Sequence, residues 1–200
     1  PPPPPPLFFY NHTTAYEMLR SLVGSEMCIR DRHQMVACRY ANFIDSKSNI
    51  TSGGLGTMGF ALPAAIGAKM GAPEREVVAV IGDGGYQMTI QELGTIFQLQ
   101  LPVKIVILNN DFLGMVRQWQ QLFFDKRYAS TEMVNPDFVS IAKAYFLESE
   151  RVENRSDLEP AVKRMIESKK PFVLEICVEK EDNVFRMIRS GASVSDIRLE

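Results

Sequence analysis

From Gly59 onward the chain alternates between two hydrophobic periods. GFALPAAIGAKMG, residues 59–71, spaces small apolar residues as a helix does, and Pro73 follows as a stop. EVVAVI, residues 76–81, is apolar on both faces, as a central strand of a parallel sheet must be. TIQELGTIFQLQ, residues 89–100, returns to helical spacing, with Ile90, Leu93, Ile96 and Phe97 on one stripe. VKIVIL, residues 103–108, reads as a second buried strand, introduced by Pro102, and FLGMVRQWQQLFF, residues 112–124, as another helix. Asn135-Pro136-Asp137 predicts a cap before FVSIAKAYF, residues 138–146. Ser156 with Glu159 three residues on predicts a capping box opening SDLEPAVKRMIES, residues 156–168, with Pro160 just inside. PFVLEICV, residues 171–178, is a further strand. Helices and strands in alternation predict an α/β fold, a parallel sheet with helices on both faces. After Val178 the chain turns polar and reads as an irregular tail that covers something.

Composition narrows the function classes. The 200 residues are 46% hydrophobic with a formal net charge of -2, enough for one core. That balance argues against a nucleic-acid coat or a basic membrane surface. No apolar run reaches the roughly 20 residues of a membrane helix. Cys28, Cys38 and Cys177 make no CxxC and no tidy disulfide framework, which fits thiols used as small apolar fillers in a reducing cytoplasm.

Residues 1–32 show neither period. The proline run restricts the start to polyproline II or disorder. The segment AYEMLRSLVGSEMCIRDR resembles a sequencing-library adaptor translated in frame; the alternative is a poorly ordered native tail. Residues 1–32 are therefore expected to be a non-native or disordered segment outside the fold, with natural sequence starting at or near His33.

The chemistry gathers at two strand ends. The run VVAVI stops on Gly82-Asp83-Gly84, and VKIVIL stops on Asn109-Asn110. Ligands of such sheets bind beyond the carboxyl ends of the strands. A carboxylate there must be solvated, paired or bound to a metal. Asp83 and an Asn110 oxygen suit Mg²⁺, which combines one or two protein groups with phosphate oxygens. Gly82, Gly84 and Gly85 would admit a phosphate close to the backbone and leave N–H groups free to donate. The plain alternative is an Asp-Gly turn followed by an ordinary loop asparagine. GLGTMG, Gly54 to Gly59, satisfies GxGxxG, but DSKSNITSG before it is no strand, so a dinucleotide site is not expected.

GDG followed by NN at this spacing resembles the cofactor signature of thiamine-diphosphate enzymes. With HQMVACRY, TSGGLGTMGFALPAAIGAKMG, NNDFLGMVRQWQQLFF and GASVSDIRLE it is similar to the large catalytic subunit of acetolactate synthase (acetohydroxyacid synthase) across residues 33–200. The resemblance implies a thiamine-diphosphate-binding domain at 33–180 and a tail at 181–200 closing over the site. It implies that Asp83, Asn110 and the Phe112 carbonyl ligate Mg²⁺. Gly84 and Gly85 would meet the diphosphate by backbone N–H. His33 and Gln34 would lie against the cofactor, with Met35 toward FAD. The Gly56 carbonyl would accept from the cofactor's 4′-amino group, and Met58 would wedge between its two rings. Thr57, Leu113, Gly114 and Met115 complete the implied cofactor contacts.

Met115, Trp119 and Ser190 are the implied substrate contacts, and Gly191 lies beside Ser190 in the closing tail. Without the resemblance, Trp119 reads as a core or surface aromatic and Met115 as a core filler. The implied reaction joins two 2-oxoacids (pyruvate with pyruvate or 2-oxobutyrate) with loss of CO₂, in branched-chain amino-acid biosynthesis. The alternatives are another thiamine-diphosphate decarboxylase or carboligase, or a Mg²⁺–diphosphate-binding module without turnover, because the family's catalytic glutamate lies outside residues 33–200. The implied partners are N-terminal and central domains (the latter holding most of the FAD site), a homodimer or homotetramer, and a regulatory small subunit. Neither nucleic acid nor membrane is implied, and the location is cytoplasmic. The sequence departs from the family pattern at Arg32, Val36, Arg186 and Arg189.

Overall fold

The structure is a computed structural model that describes residues 22–25, 34–35, 37, 48–180, 183–185, 187–188 and 191–197. It contains a five-stranded parallel sheet with helices on both faces. The strands are β1 (Leu22–Ser25), β2 (Val78–Gly82), β3 (Lys104–Asn109), β4 (Glu148–Val152) and β5 (Phe172–Cys177), in the order β1-β2-β3-β5-β4. The helices are α1 (Ala61–Gly71), α2 (Asp83–Met88), α3 (Glu92–Leu99), α4 (Gly114–Phe123), α5 (Phe138–Ala144) and α6 (Arg155–Glu167). Among the described residues no helix is long and apolar enough to cross a membrane.

Strand alternation divides the core between the two faces of the sheet. Val77, Ala79, Ile81, Ile105 and Ile107 point to one face, under Leu62, Ala65 and Ile66 of α1, Leu93 and Ile96 of α3, and Phe138 and Ala142 of α5. Val78, Val80, Val106, Leu174 and Ile176 point to the other, under Leu158, Ala161, Val162 and Met165 of α6. Each large side chain so buried contributes roughly 1.5–3 kcal/mol. Covering β2 and β3 on both sides is what the apolar runs VVAVI and IVIL require.

Four expectations change. Leu22–Ser25, inside the segment set aside, forms edge strand β1 on β2, pairing Leu22 with Val78 and Ser25 with Val80 across an irregular register. Edge pairing uses backbone N–H and C=O groups, which the absence of a side-chain period does not remove. Strand β4 has no counterpart in the hydrophobic pattern, because its sequence, ESERV, is charged and sits at the other edge. The predicted capping box at Ser156 is absent. Helix α6 starts two residues earlier than that box would place it, with Asn154 as N-cap, and the Ser156 hydroxyl donates to Asp157 instead. Phe97 leaves the predicted stripe, is 38% exposed and stacks on Phe146. The cap before α5 is as expected: the Asp137 carboxylate accepts from the N–H groups of Val139 and Ser140.

Candidate metal and diphosphate site

Strands β2 and β3 are neighbours in register, Gly82 opposite Leu108, so their ends stand side by side. Helix α2 starts at Asp83 with no intervening loop. Asp83 is 2% exposed, and burial pushes its carboxyl up to about 6. Hydrogen bonds from Asn135 and from the backbone of Gly84 and Asp111 oppose that rise, while the nearby Asp111 charge adds to it. A second carboxylate beside a buried one is an arrangement that a cation relieves.

Past β3 the chain turns sharply. Asp111 adopts a left-handed φ of 56°, which aspartate tolerates better than most residues. The Asn109 and Asn110 side-chain oxygens accept from the N–H groups two residues on, Asp111 and Phe112, both at 3.2 Å. Residues 131–133 then run antiparallel beside 111–113, bridging Phe112 to Glu132. That return carries Asn135 back to the strand ends. Its Nδ2 donates to Asp83 Oδ2 at 2.7 Å, Asn109 Oδ1 at 2.9 Å and Asp111 Oδ1 at 3.0 Å. The carbonyls of Asp111 and Leu113 accept from Met133 and Arg117; that of Phe112 accepts no backbone bond among the described residues.

These groups offer oxygen only: the Asp83 carboxylate, the Asn110 amide oxygen and the Phe112 carbonyl. Hard divalent cations take such donors. Among the described residues no group of three or more His, Cys, Asp or Glu stands together, so a metal here would draw on amide and backbone oxygens.

The glycine at position 84 sits in a tight space. A Cβ there would lie 2.8 Å from Met58 Cε, 2.9 Å from Leu113 Cδ2 and 3.2 Å from Met133 Sδ. One expectation fails at this point. The Gly84 N–H is not free but donates to Asp83 Oδ1 at 2.9 Å. A helix that begins on Asp83 leaves that carboxylate beside its own first-turn N–H groups. Gly85 is buried next to it.

The loop 51–59 brings Met58 over Gly84. Gly56 turns it with a φ of 61°, its N–H donating to the Ser52 carbonyl, and the Thr57 N–H donates to Ser52 Oγ. The Thr89 hydroxyl then ties the Gly59 carbonyl to the end of α2. Residues 48–50, which lead into this loop, form no strand. Gln34 is buried and its Nε2 donates to Thr51 Oγ1 at 2.6 Å, anchoring the start of the loop; Met35 is half-buried beside it.

Helix α4 carries the remaining predicted residues. Gly114 and Met115 are buried, and half-buried Trp119, one turn beyond Met115, stacks on Phe123 with centroids 4.9 Å apart. The Arg117 guanidinium lies between the rings of Phe112 and Tyr128. His33 and Ser190 lie outside the described residues, as do Cys28, Cys38 and the departures at Arg32, Val36, Arg186 and Arg189.

The pattern missed Asn135, Gln118 and Glu175. Asn135 passed for part of a cap. Gln118 sits on a helix otherwise judged by its apolar stripe, yet it is fully buried and clasps the tail: its Nε2 donates to the Val184 carbonyl and its Oε1 accepts from the Val184 N–H. The signal for Glu175 was available, as a single carboxylate inside the apolar strand FVLEIC.

Residues 32–176 match the family described as thiamine pyrophosphate enzyme, C-terminal TPP binding domain. The chain is similar to the acetolactate synthase isozyme 2 large subunit of Escherichia coli K12, 44% identical over 167 residues, covering 83% of this chain and 30% of the relative. It is 44% identical over 167 residues to the mitochondrial acetolactate synthase of Schizosaccharomyces pombe, covering 84% and 25%. It is 43% identical over 173 residues to the acetolactate synthase large subunit of Corynebacterium glutamicum, covering 84% and 28%. The chain thus spans between 25% and 30% of the length of these curated relatives.

Proposed function

Because the chain belongs to the thiamine pyrophosphate enzyme family, as its C-terminal TPP binding domain, we propose that it holds thiamine diphosphate through Mg²⁺ at the ends of β2 and β3. Asp83, Asn110 and the Phe112 carbonyl would hold the ion. Gly84 and Gly85 would admit the diphosphate, and Gly56, Thr57, Met58, Leu113, Gly114 and Met115 would flank the cofactor. When bound, thiamine diphosphate supplies the carbon nucleophile that makes decarboxylation of a 2-oxoacid feasible. The chain's own residues bind and orient. Asp83, Asn110 and the Phe112 carbonyl would fix the ion, the 51–59 loop brings Met58 over Gly84, and Met115 and Trp119 on α4 would face the substrate. A flat aromatic such as Trp119 separates an ethyl from a methyl group by about 1–3 kcal/mol.

The larger reading follows the relatives. We propose that the chain serves acetolactate synthesis from pyruvate with a second 2-oxoacid, toward isoleucine and valine, in the cytoplasm. In that reading it works with domains equivalent to the rest of those relatives. FAD is held mainly by them, the subunits pair as dimers or tetramers, and a regulatory small subunit is a further partner. Turnover then belongs to the assembled enzyme.

The observation that carries the proposal is the buried Asp83 carboxylate, raised by desolvation and held beside Asn109–Asp111 of the adjacent strand end. Titration of thiamine diphosphate into the chain, with and without Mg²⁺, tests it. Saturable binding that requires Mg²⁺ and disappears in Asp83→Ala is expected. Binding that ignores both the metal and Asp83 would refute it. Acetolactate formation by the complete gene product tests the larger reading.

A further inference from the structure

Asn135 lies at the centre of the strand-end network, and nothing above gives it a role toward the ion. We propose that Asn135 is the positioning residue of the metal site, an inference that rests on the reading of Asp83 as a Mg²⁺ ligand. Its Nδ2 has three acceptors within 3.0 Å: Asp83 Oδ2 from the end of β2, Asn109 Oδ1 from the end of β3, and Asp111 Oδ1 just beyond. A carboxamide NH₂ carries two hydrogens, so three oxygens share two donors. Two of those oxygens belong to carboxylates, which when ionised only accept and repel each other. The amide holds them together without adding charge, which keeps the Asp83 carboxylate beside the turn that carries Asn110.

The amide's orientation is fixed from the opposite side. Gln87 Nε2 donates to Asn135 Oδ1 at 2.8 Å. A flipped Asn135 would present an oxygen to three oxygens and its NH₂ to the Gln87 NH₂, losing all four bonds. Gln87, on α2, therefore sets the polarity of Asn135, and Asn135 sets the spacing between Asp83 at the end of β2 and the 109–111 turn that carries Asn110. From the other side, Asn109 is held by Glu175 at 2.8 Å, so the third acceptor is also fixed in place. Without Asn135, an arriving ion would have to organise those donors itself. Residues that orient the ligands of a metal typically change its affinity by 10–100-fold when removed.

The test is thiamine diphosphate binding to the full chain, followed by calorimetry across a Mg²⁺ series. In Asn135→Ala the Mg²⁺ concentration for half-maximal binding is expected to rise about tenfold. Cofactor affinity at saturating Mg²⁺ should stay near wild type. Gln87→Glu turns the donor facing Asn135 Oδ1 into an acceptor while leaving Asn135 in place. It should shift the Mg²⁺ requirement in the same direction, and it decides the matter if Asn135→Ala does not fold. Unchanged Mg²⁺ dependence in the variants that fold, alongside lost binding in Asp83→Ala, overturns the positioning role and leaves the metal reading standing. Proportional loss of cofactor affinity at every Mg²⁺ concentration also overturns it, because that is what a purely structural residue would show. Binding by the wild-type chain that needs no Mg²⁺ removes the metal reading and this inference together.

Discussion

Asn109 Nδ2 donates to Glu175 Oε1 at 2.8 Å, linking the end of β3 to a carboxylate buried in the middle of β5. The other Glu175 oxygen accepts from Arg151 Nε at 2.8 Å, and Arg151 also reaches Asp137, the N-cap of α5. A buried carboxylate is tolerable here because each of its oxygens has a donor. The chain of contacts runs from the edge strand to Asp83 through Glu175, Asn109 and Asn135.

Glu175→Ala is expected to destabilise the fold by about 3 kcal/mol, the low end for breaking a buried pair. Arg151 is 37% exposed and can take up water, which limits the loss. Glu175→Gln keeps the shape and an acceptor and should cost less. Urea unfolding of both variants measures the difference; equal stability of wild type and Glu175→Ala would contradict this account.

Asp83 should make the metal-free chain less stable as pH rises. Its folded carboxyl is raised from 3.8 to about 6, so the native state holds a proton that the unfolded state has lost between those values. Stability is then greatest below pH 3.8 as far as this group is concerned. It falls through pH 6, and the full cost above that is up to about 3 kcal/mol. Asp83→Asn should therefore melt higher than wild type at pH 7.5 without metal, and should lose any stabilisation by Mg²⁺ with thiamine diphosphate. Thermal melts with and without both ligands check each half. A metal-free Asp83→Asn that melts lower would count against the burial argument.

Gly84→Ala separates space from backbone strain. The new Cβ meets the ends of two flexible side chains, Met58 and Leu113, which can move aside. Alanine also favours a helix over glycine by roughly 1 kcal/mol. Stability should change by no more than about 1 kcal/mol. Cofactor binding should fall at least tenfold, because the methyl displaces Met58 and Leu113, both proposed to flank the cofactor; calorimetry reads it directly.

Gln118→Ala should release the tail. The variant loses both bonds to the Val184 backbone, worth about 1 kcal/mol each, and leaves the buried Val184 N–H unsatisfied. Limited proteolysis after Val178 should quicken several-fold while residues 48–178 stay resistant. Unchanged cleavage would mean that Val184 and Met187 hold the tail by apolar contact alone, since both are buried.

The sequence by itself determined the strands that are buried on both faces. VVAVI and IVIL, the latter preceded by Lys104, read as such strands because apolar β-branched runs have little solvent face to offer. It pointed to their ends as the candidate site, because a glycine-flanked Asp and an Asn pair interrupt those runs where a parallel sheet binds ligands. Strand β4 was hidden because an edge strand is held by backbone bonds, and ESERV gives its side chains to solvent and ion pairs. Only the tertiary structure decided what fills the space between the two strand ends. Asn135 comes from a loop far along the chain, and its contacts depend on an antiparallel return beside Phe112, a left-handed Asp111 and the donor of Gln87. Local periods report which side of an element is buried. They carry no information on which polar atoms from separate elements will meet, because that depends on how all the elements pack at once.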